Sequence, residues 1–116
     1  VVIPLIGSMD TERADQVLSV ALDGAQRLGS RFVILDVTGL KHVDTHTAGM
    51  LGNVASALRL LGAETVITGI RPKIAQTLIA LDINLQTFVT MATLQSGMDY
   101  ALAKTRGQRL NRRTPR

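Results

Sequence analysis

Four short runs rich in β-branched and apolar residues alternate with four stretches of helical periodicity, and this alternation restricts the fold more than any other feature of the chain. The runs are "VVIPLIG", "RFVILDV", "AETVITGI" and "LQTFVT". After the first, Asp10 is a good N-cap with Glu12 in the first turn. Ala14, Val17, Leu18, Ala21, Ala25 and Leu28 then follow helical spacing, and Gly29 stops the helix. "TGLKHVD" reads as a loop, and a second helix is expected from Thr45 to Leu61, with Gly62 as its stop. Pro72 suits the first turn of a third helix that faces inward through Ile74, Leu78 and Leu81. Thr93 caps a fourth helix, expected to end near Lys104 with Leu94, Met98, Ala101 and Leu102 facing the core. Such a βαβαβαβα order implies an α/β domain whose mostly parallel sheet is covered by helices.

The length of 116 residues fits one domain. Aromatics are only 3%, so the core must be built from Val, Ile, Leu, Ala and Met. Without cysteine there are no disulfides and no thiolate metal sites. No apolar run approaches the roughly 20 residues of a membrane helix, and no signal peptide is visible. The net charge of +4 is misleading, because six of the thirteen basic residues lie between Lys104 and Arg116. Residues 1–103 carry seven basic and nine acidic residues, a net charge of −2. The expected division is therefore a folded domain over 1–104 and a basic, disordered tail over 105–116. A basic tail can touch phosphate, but no aromatic is interleaved for base stacking, so a solvated extension is the better reading than nucleic-acid binding.

Catalytic constellations are sparse. His42 and His46, the only histidines, are four apart, but His42 precedes the helix start and no Glu lies near, so no metal site is assigned. Asp36 and Asp44 have no second motif to make them an acid/base pair, although Asp44 with His46 leaves a small hydrolase as an alternative from another class. Gly49 and Gly52 fall inside a helix rather than before one, so they are no phosphate loop. What does stand out is "LKHVDTHTAGML", which puts Asp44 and Thr45 at a helix N-terminus just after a strand and loop. Simple capping by either residue explains the pair. A hydroxyl there is also a good phosphate acceptor: the helix dipole would favour an added phosphate and Asp44 would oppose it. On the helix behind it, Ala48, Leu51, Val54, Ala55, Leu58 and Leu61 form the inward stripe. His46, Met50, Asn53, Ala57 and Leu60 occupy the other side and suggest a partly apolar contact surface.

The segments "IPLIGSMDTERA", "VILDVTGLKHVDTHTAGML", "LRLLGAETVITGIRPKIAQTL" and "LQSGMDYAL" have the order and spacing of STAS domains. Over residues 3–103 the chain resembles in particular the C-terminal domain of RsbR-type stressosome proteins. The acidic-hydroxyl pair after "DVTGL" is shared by the wider anti-sigma-factor antagonist group, whereas "TGIRPKIAQT" is narrower and resembles RsbR. The resemblance implies a STAS fold, with a central mixed, mostly parallel sheet and helices mostly on one side. It implies that Thr45 is phosphorylated by an RsbT-type serine/threonine kinase and that Thr77 is a second acceptor. Gly69, Ile70, Arg71 and Pro72 match a family motif that the residues themselves explain only as a strand-to-helix turn. Asp82 stands where the family usually has Gly, and the chain begins inside what resembles the family's second strand, so the first strand and any sensory domain would lie upstream. The implied function is a non-enzymatic cytoplasmic scaffold without cofactor. Its partners would be an RsbS-like STAS protein, an RsbT-like kinase and further copies of itself, as a dimer and within a large assembly. A stand-alone anti-sigma factor antagonist is the alternative.

Overall fold

The computed structural model describes residues 1–80 and 88–113, without the side chains of Thr11 and of 108–113. In chain order the elements are β1 (Val2–Pro4), α1 (Thr11–Leu28), β2 (Phe32–Asp36), α2 (Thr45–Leu60), β3 (Glu64–Thr68), α3 (Pro72–Ala80), β4 (Val89–Met91) and α4 (Leu94–Arg113). The strands stand in the order β1-β2-β3-β4, and every described pairing is parallel. The expected mostly parallel sheet is thus parallel throughout its described pairings. Each neighbouring pair is joined by a helical crossover, the connection that parallel strands require. Ile34 of β2 pairs with Val2 on one side and Val66 on the other, which makes β2 a central strand.

Centrality explains the unbroken apolar run. Phe32, Val33, Ile34 and Leu35 are all buried, because both faces of the sheet are covered. Val33, Leu35 and Ile67 join the main core with α1, α2 and α3, where Ala21, Ala25, Val54, Leu58, Ile74 and Leu78 pack. Phe32, Ile34 and Val66 face the other way, against Leu94, Tyr100 and Ala101 of α4. Three helices on one face and one on the other agree with the expected bias.

Helix ends follow local chemistry. Asp10 caps α1 by accepting from Arg13 N, and Gly29 ends it at φ 59°. After α2, Gly62 takes φ 79°, and Ala63 N donates to Leu58 O while Gly62 N donates to Arg59 O. Those two bonds close the helix in a Schellman motif.

Several expected positions move. β1 is shorter than "VVIPLIG", since Pro4 brings no N–H to the ladder, yet Leu5 N still donates to Asp36 O and Gly7 bridges Leu40. Leu28 and Leu61, expected inward, are exposed at helix ends. Met98 and Leu102, also expected inward, are exposed. Helix α4 turns a different face to the sheet, through Leu94, Gly97, Tyr100 and Ala101, because Gly97 seats its backbone against Thr68 and Val66. The helix also runs to Arg113 rather than stopping near Lys104. Lys, Arg, Gln and Leu are good helix formers, and cations are favoured at a helix C-terminus. The first part of the expected tail, through Arg113, is therefore helical. Among the described residues β4 spans Val89–Met91, and Leu81, Asp82 and 85–87 lie outside the described residues.

Tyr100 anchors α4 at its sheet end. Its ring meets Phe32 edge-on at 6.0 Å, and its hydroxyl donates to Glu64 at 2.7 Å. Loss of solvation first, and then the Glu64 carboxylate, push the phenol up to about 12 from 10.0. A raised value means the stabilisation is complete below pH 10 and is lost as pH climbs through about 12. Tyr100→Phe should cost about 1 kcal/mol at neutral pH, as for a solvent-accessible hydrogen bond. In thermal unfolding followed from neutral to alkaline pH, that difference should shrink above pH 10. A constant difference across that range would show that the Glu64 bond is not its source.

Candidate functional site

In a parallel sheet the helices begin beyond the carboxyl ends of the strands, and so do the loops that carry sites. The β2–α2 loop lies there, between the chain leaving β1 and the turn leaving β3. Val37, Leu40 and Val43 bury their side chains and pin it to the core. From the β1 side, Gly7 N donates to Gly39 O and Lys41 N donates to Gly7 O. From the β3 side, Val37 N donates to Thr68 O. The Asp36 carboxylate, at the end of β2, accepts from Thr38 Oγ1 at 2.8 Å and from Thr68 Oγ1 at 3.0 Å.

The expected turn Gly69–Pro72 presses on the same loop. Gly69 has φ 75°, and a Cβ there would overlap Thr38 Oγ1. Arg71 sends its guanidinium back to the Leu40 carbonyl at 2.5 Å, while its own carbonyl accepts Ala75 N in the first turn of α3. Pro72 opens that helix. This cross-loop bond was not legible in the sequence, where residues 69–72 read only as a strand-to-helix turn. The Asp36–Thr38–Thr68 cluster was equally hidden, its only sequence signal being an acid at the end of an otherwise apolar strand.

The loop delivers Asp44 as the N-cap of α2, and its Oδ1 accepts Thr47 N at 2.8 Å. The backbone N–H of Thr47 first, then its hydroxyl, hold the Asp44 carboxyl below its ordinary 3.8, with His46 adding to the effect. Of the run Asp44-Thr45-His46-Thr47, Thr47 is buried at 1% exposure, whereas Thr45 and His46 are exposed. The capping work falls to Asp44, and Thr45 is the reachable hydroxyl at the first position of the helix. An open cavity of about 260 Å³ between α1 and α2 is lined in part by Asp15, Leu18, Thr45, His46, Met50 and Asn53.

The expected contact surface is partly corrected. Asn53 and His46 are exposed beside Thr45. Met50 is not outward: it is 6% exposed in the main core, because α2 packs on α1 as well as on the sheet and so has two buried sides. Leu60 is 89% exposed but lies fifteen residues along α2, roughly 22 Å from Thr45 at 1.5 Å per residue. Thr77 sits half-buried on α3 and donates its hydroxyl to Lys73 O at 3.0 Å, so it would have to leave that bond to react. No cluster of three or more His, Cys, Asp or Glu suited to a metal occurs among the described residues. Asp44, needed for a hydrolase, is committed to capping.

The STAS-domain family model matches residues 1–108. The chain belongs to the STAS family. This STAS domain is 42% identical over 104 residues to the RsbT co-antagonist protein RsbRA of Bacillus subtilis, covering 90% of this chain and 38% of that protein. With RsbRD of the same organism it shares 36% over 97 residues, 84% of this chain and 35% of that one. It therefore spans well under half the length of these relatives. Among solved structures, RsbS of Moorella thermoacetica superposes with a TM-score of 0.79 at 26% identity, covering 90% of this chain and 89% of that chain. A chain of the stressosome structure superposes with a TM-score of 0.71 at 23% identity, covering 89% and 93%, a likeness of fold.

Three substitutions probe this geometry. Gly69→Ala should destabilise the STAS domain by about 3 kcal/mol, from the left-handed backbone plus the overlap with Thr38. Gly62→Ala has a similar φ of 79° but open space, and should cost only about 1 kcal/mol in the same denaturant titration. Asp44→Asn keeps a capping oxygen but loses the charge. Since the Asp44 pKa is lowered on folding, its charge stabilises above the ordinary carboxylate range and that contribution is lost as pH falls through the lowered value. Wild type should melt above Asp44→Asn at neutral pH, with the gap closing as pH falls below the ordinary carboxylate range and the carboxyl protonates.

Proposed function

We propose that this STAS domain is a non-enzymatic, phosphorylatable scaffold of a bacterial stressosome. It sequesters an RsbT-type serine/threonine kinase and controls its release in a general, sigma-B-type stress response. Thr45 is the principal phosphoacceptor and Thr77 a second one. The observation that carries the reading is the division of labour at the start of α2, where Asp44 caps the helix and leaves the Thr45 hydroxyl exposed. Phosphate on Thr45 adds about −1.5 to −2 charges without removing the cap. Asp44 and Asp15 are near neighbours of that position, so the change is one of surface charge, to be read by a bound protein. Similarity to RsbRA supports the choice of kinase, and the fold shared with RsbS supports a second STAS protein as assembly partner. Self-association, as a dimer and within the large assembly, completes the partner set. No described helix is long and apolar enough to cross a membrane. By its likeness to RsbRA, the scaffold we propose would work in the cytoplasm.

Incubated with an RsbT-type kinase and ATP, the purified chain should incorporate phosphate, and Thr45→Ala should remove most of it. Thr77→Ala should remove a smaller part. Labelling undiminished by Thr45→Ala would sink the site assignment. Mixing with an RsbS-like protein should give a megadalton-scale particle by size exclusion, whereas a small heterocomplex would favour the simple antagonist.

A further inference from the structure

We propose that Arg71 is a positioning residue for the Thr45 loop, acting through the Leu40 carbonyl; this rests on Thr45 being the acceptor. Arg71 belongs to two structures at once. Its carbonyl accepts Ala75 N and opens α3, while its guanidinium donates to Leu40 O in the loop that ends at Asp44. Leu40 is fully buried, so its carbonyl stands at the edge of the core, where an unmade bond is costly. A guanidinium bond to a carbonyl is charge-assisted and directional, which an ammonium only partly reproduces. The loop has three further grips near the same point: Gly7 N on Gly39 O, Lys41 N on Gly7 O, and Thr38 packed under Gly69. Only residues 41–43 separate Leu40 from the cap Asp44, and Val43 is itself buried. With the Leu40 end held, that short link has little freedom, and the register in which Thr45 starts α2 is set. Without Arg71, the β3 side of the loop keeps only contacts nearer its beginning, and the Leu40–Lys41 segment is released toward solvent.

The test compares Arg71→Ala and Arg71→Lys with wild type in the full chain. In Arg71→Ala, the Leu40 and Lys41 amide hydrogens should exchange about tenfold faster, while those of Val54 and Ala55 in the middle of α2 keep their protection. Labelling of Thr45 by the kinase should fall about tenfold in kcat/KM, with Arg71→Lys recovering part of both losses. If Arg71→Ala does not fold, Arg71→Gln, which keeps a neutral donor, is measured against the same expectations. Unchanged exchange at Leu40 and Lys41 overturns the proposal, and so does unchanged labelling of Thr45 in a variant whose wild type is labelled. A wild-type chain that the kinase does not label refutes the acceptor reading instead, and the exchange rates then decide the Arg71 tether alone.

Discussion

At the carboxyl end of the central strand, the Asp36 carboxylate collects the hydroxyls of Thr38 and Thr68. The first bond folds the chain leaving β2 back on itself, and the second locks the end of β2 to the end of β3. A half-buried carboxylate needs such donors, because its desolvation is otherwise uncompensated. Its position also decides what can follow in β3. Thr68, fully buried, is tolerable in the sheet because it donates to Asp36, and the next residue must come so close to Thr38 that only glycine fits. Thr65, three residues earlier and 2% exposed, shows the contrast: its hydroxyl has no hydrogen-bond partner among the described residues.

From that junction the loop geometry follows in order. Gly69 turns the chain in a left-handed conformation, which brings Arg71 over Leu40. The chain leaving β1 closes the other side through Gly7. The loop to α2 is thus held between two neighbouring connections as well as by its own buried Val37, Leu40 and Val43, and its exit leads Asp44 into the first turn of the helix. A site on a loop gains precision from such packing.

How far this could be read in advance depended on the range of the determining interaction. Strand runs, the caps at Asp10 and Thr93, and the glycine stops are set by residues within one turn of each other and were legible, whereas the cap of α2 was open between Asp44 and Thr45. Met50 was misplaced because one helix's periodicity reveals an apolar side but not that a second helix covers the adjacent side. Met98 and Leu102 were misplaced for a related reason. Apolarity favoured them, whereas a small residue, Gly97, and a tyrosine with a distant acceptor, Glu64, decided which side of α4 meets the sheet. Thr45 is legible as a hydroxyl at the start of α2. What separates it from Thr47, the burial of one and the exposure of the other, is a consequence of tertiary packing.

The same arrangement limits what a phosphate at Thr45 can do. The N-terminus of α2 carries partial positive charge from its free N–H groups, which favours an anion there. One of those N–H groups, that of Thr47, is already taken by Asp44, whose carboxylate repels a second anion next to it. The favourable dipole and the unfavourable carboxylate are each effects of about 1 kcal/mol or less at an exposed site, so they largely offset one another. Helix α2 is held along its whole length by core residues, of which Val54, Ala55 and Leu58 lie well away from the new charge, and has no reason to melt. A modification that neither unfolds its helix nor finds a partner within its own surface is suited to acting between molecules. In a complex of the kind proposed, a desolvated phosphate beside Asp44 and Asp15 would have to be either matched by cations of the partner or expelled.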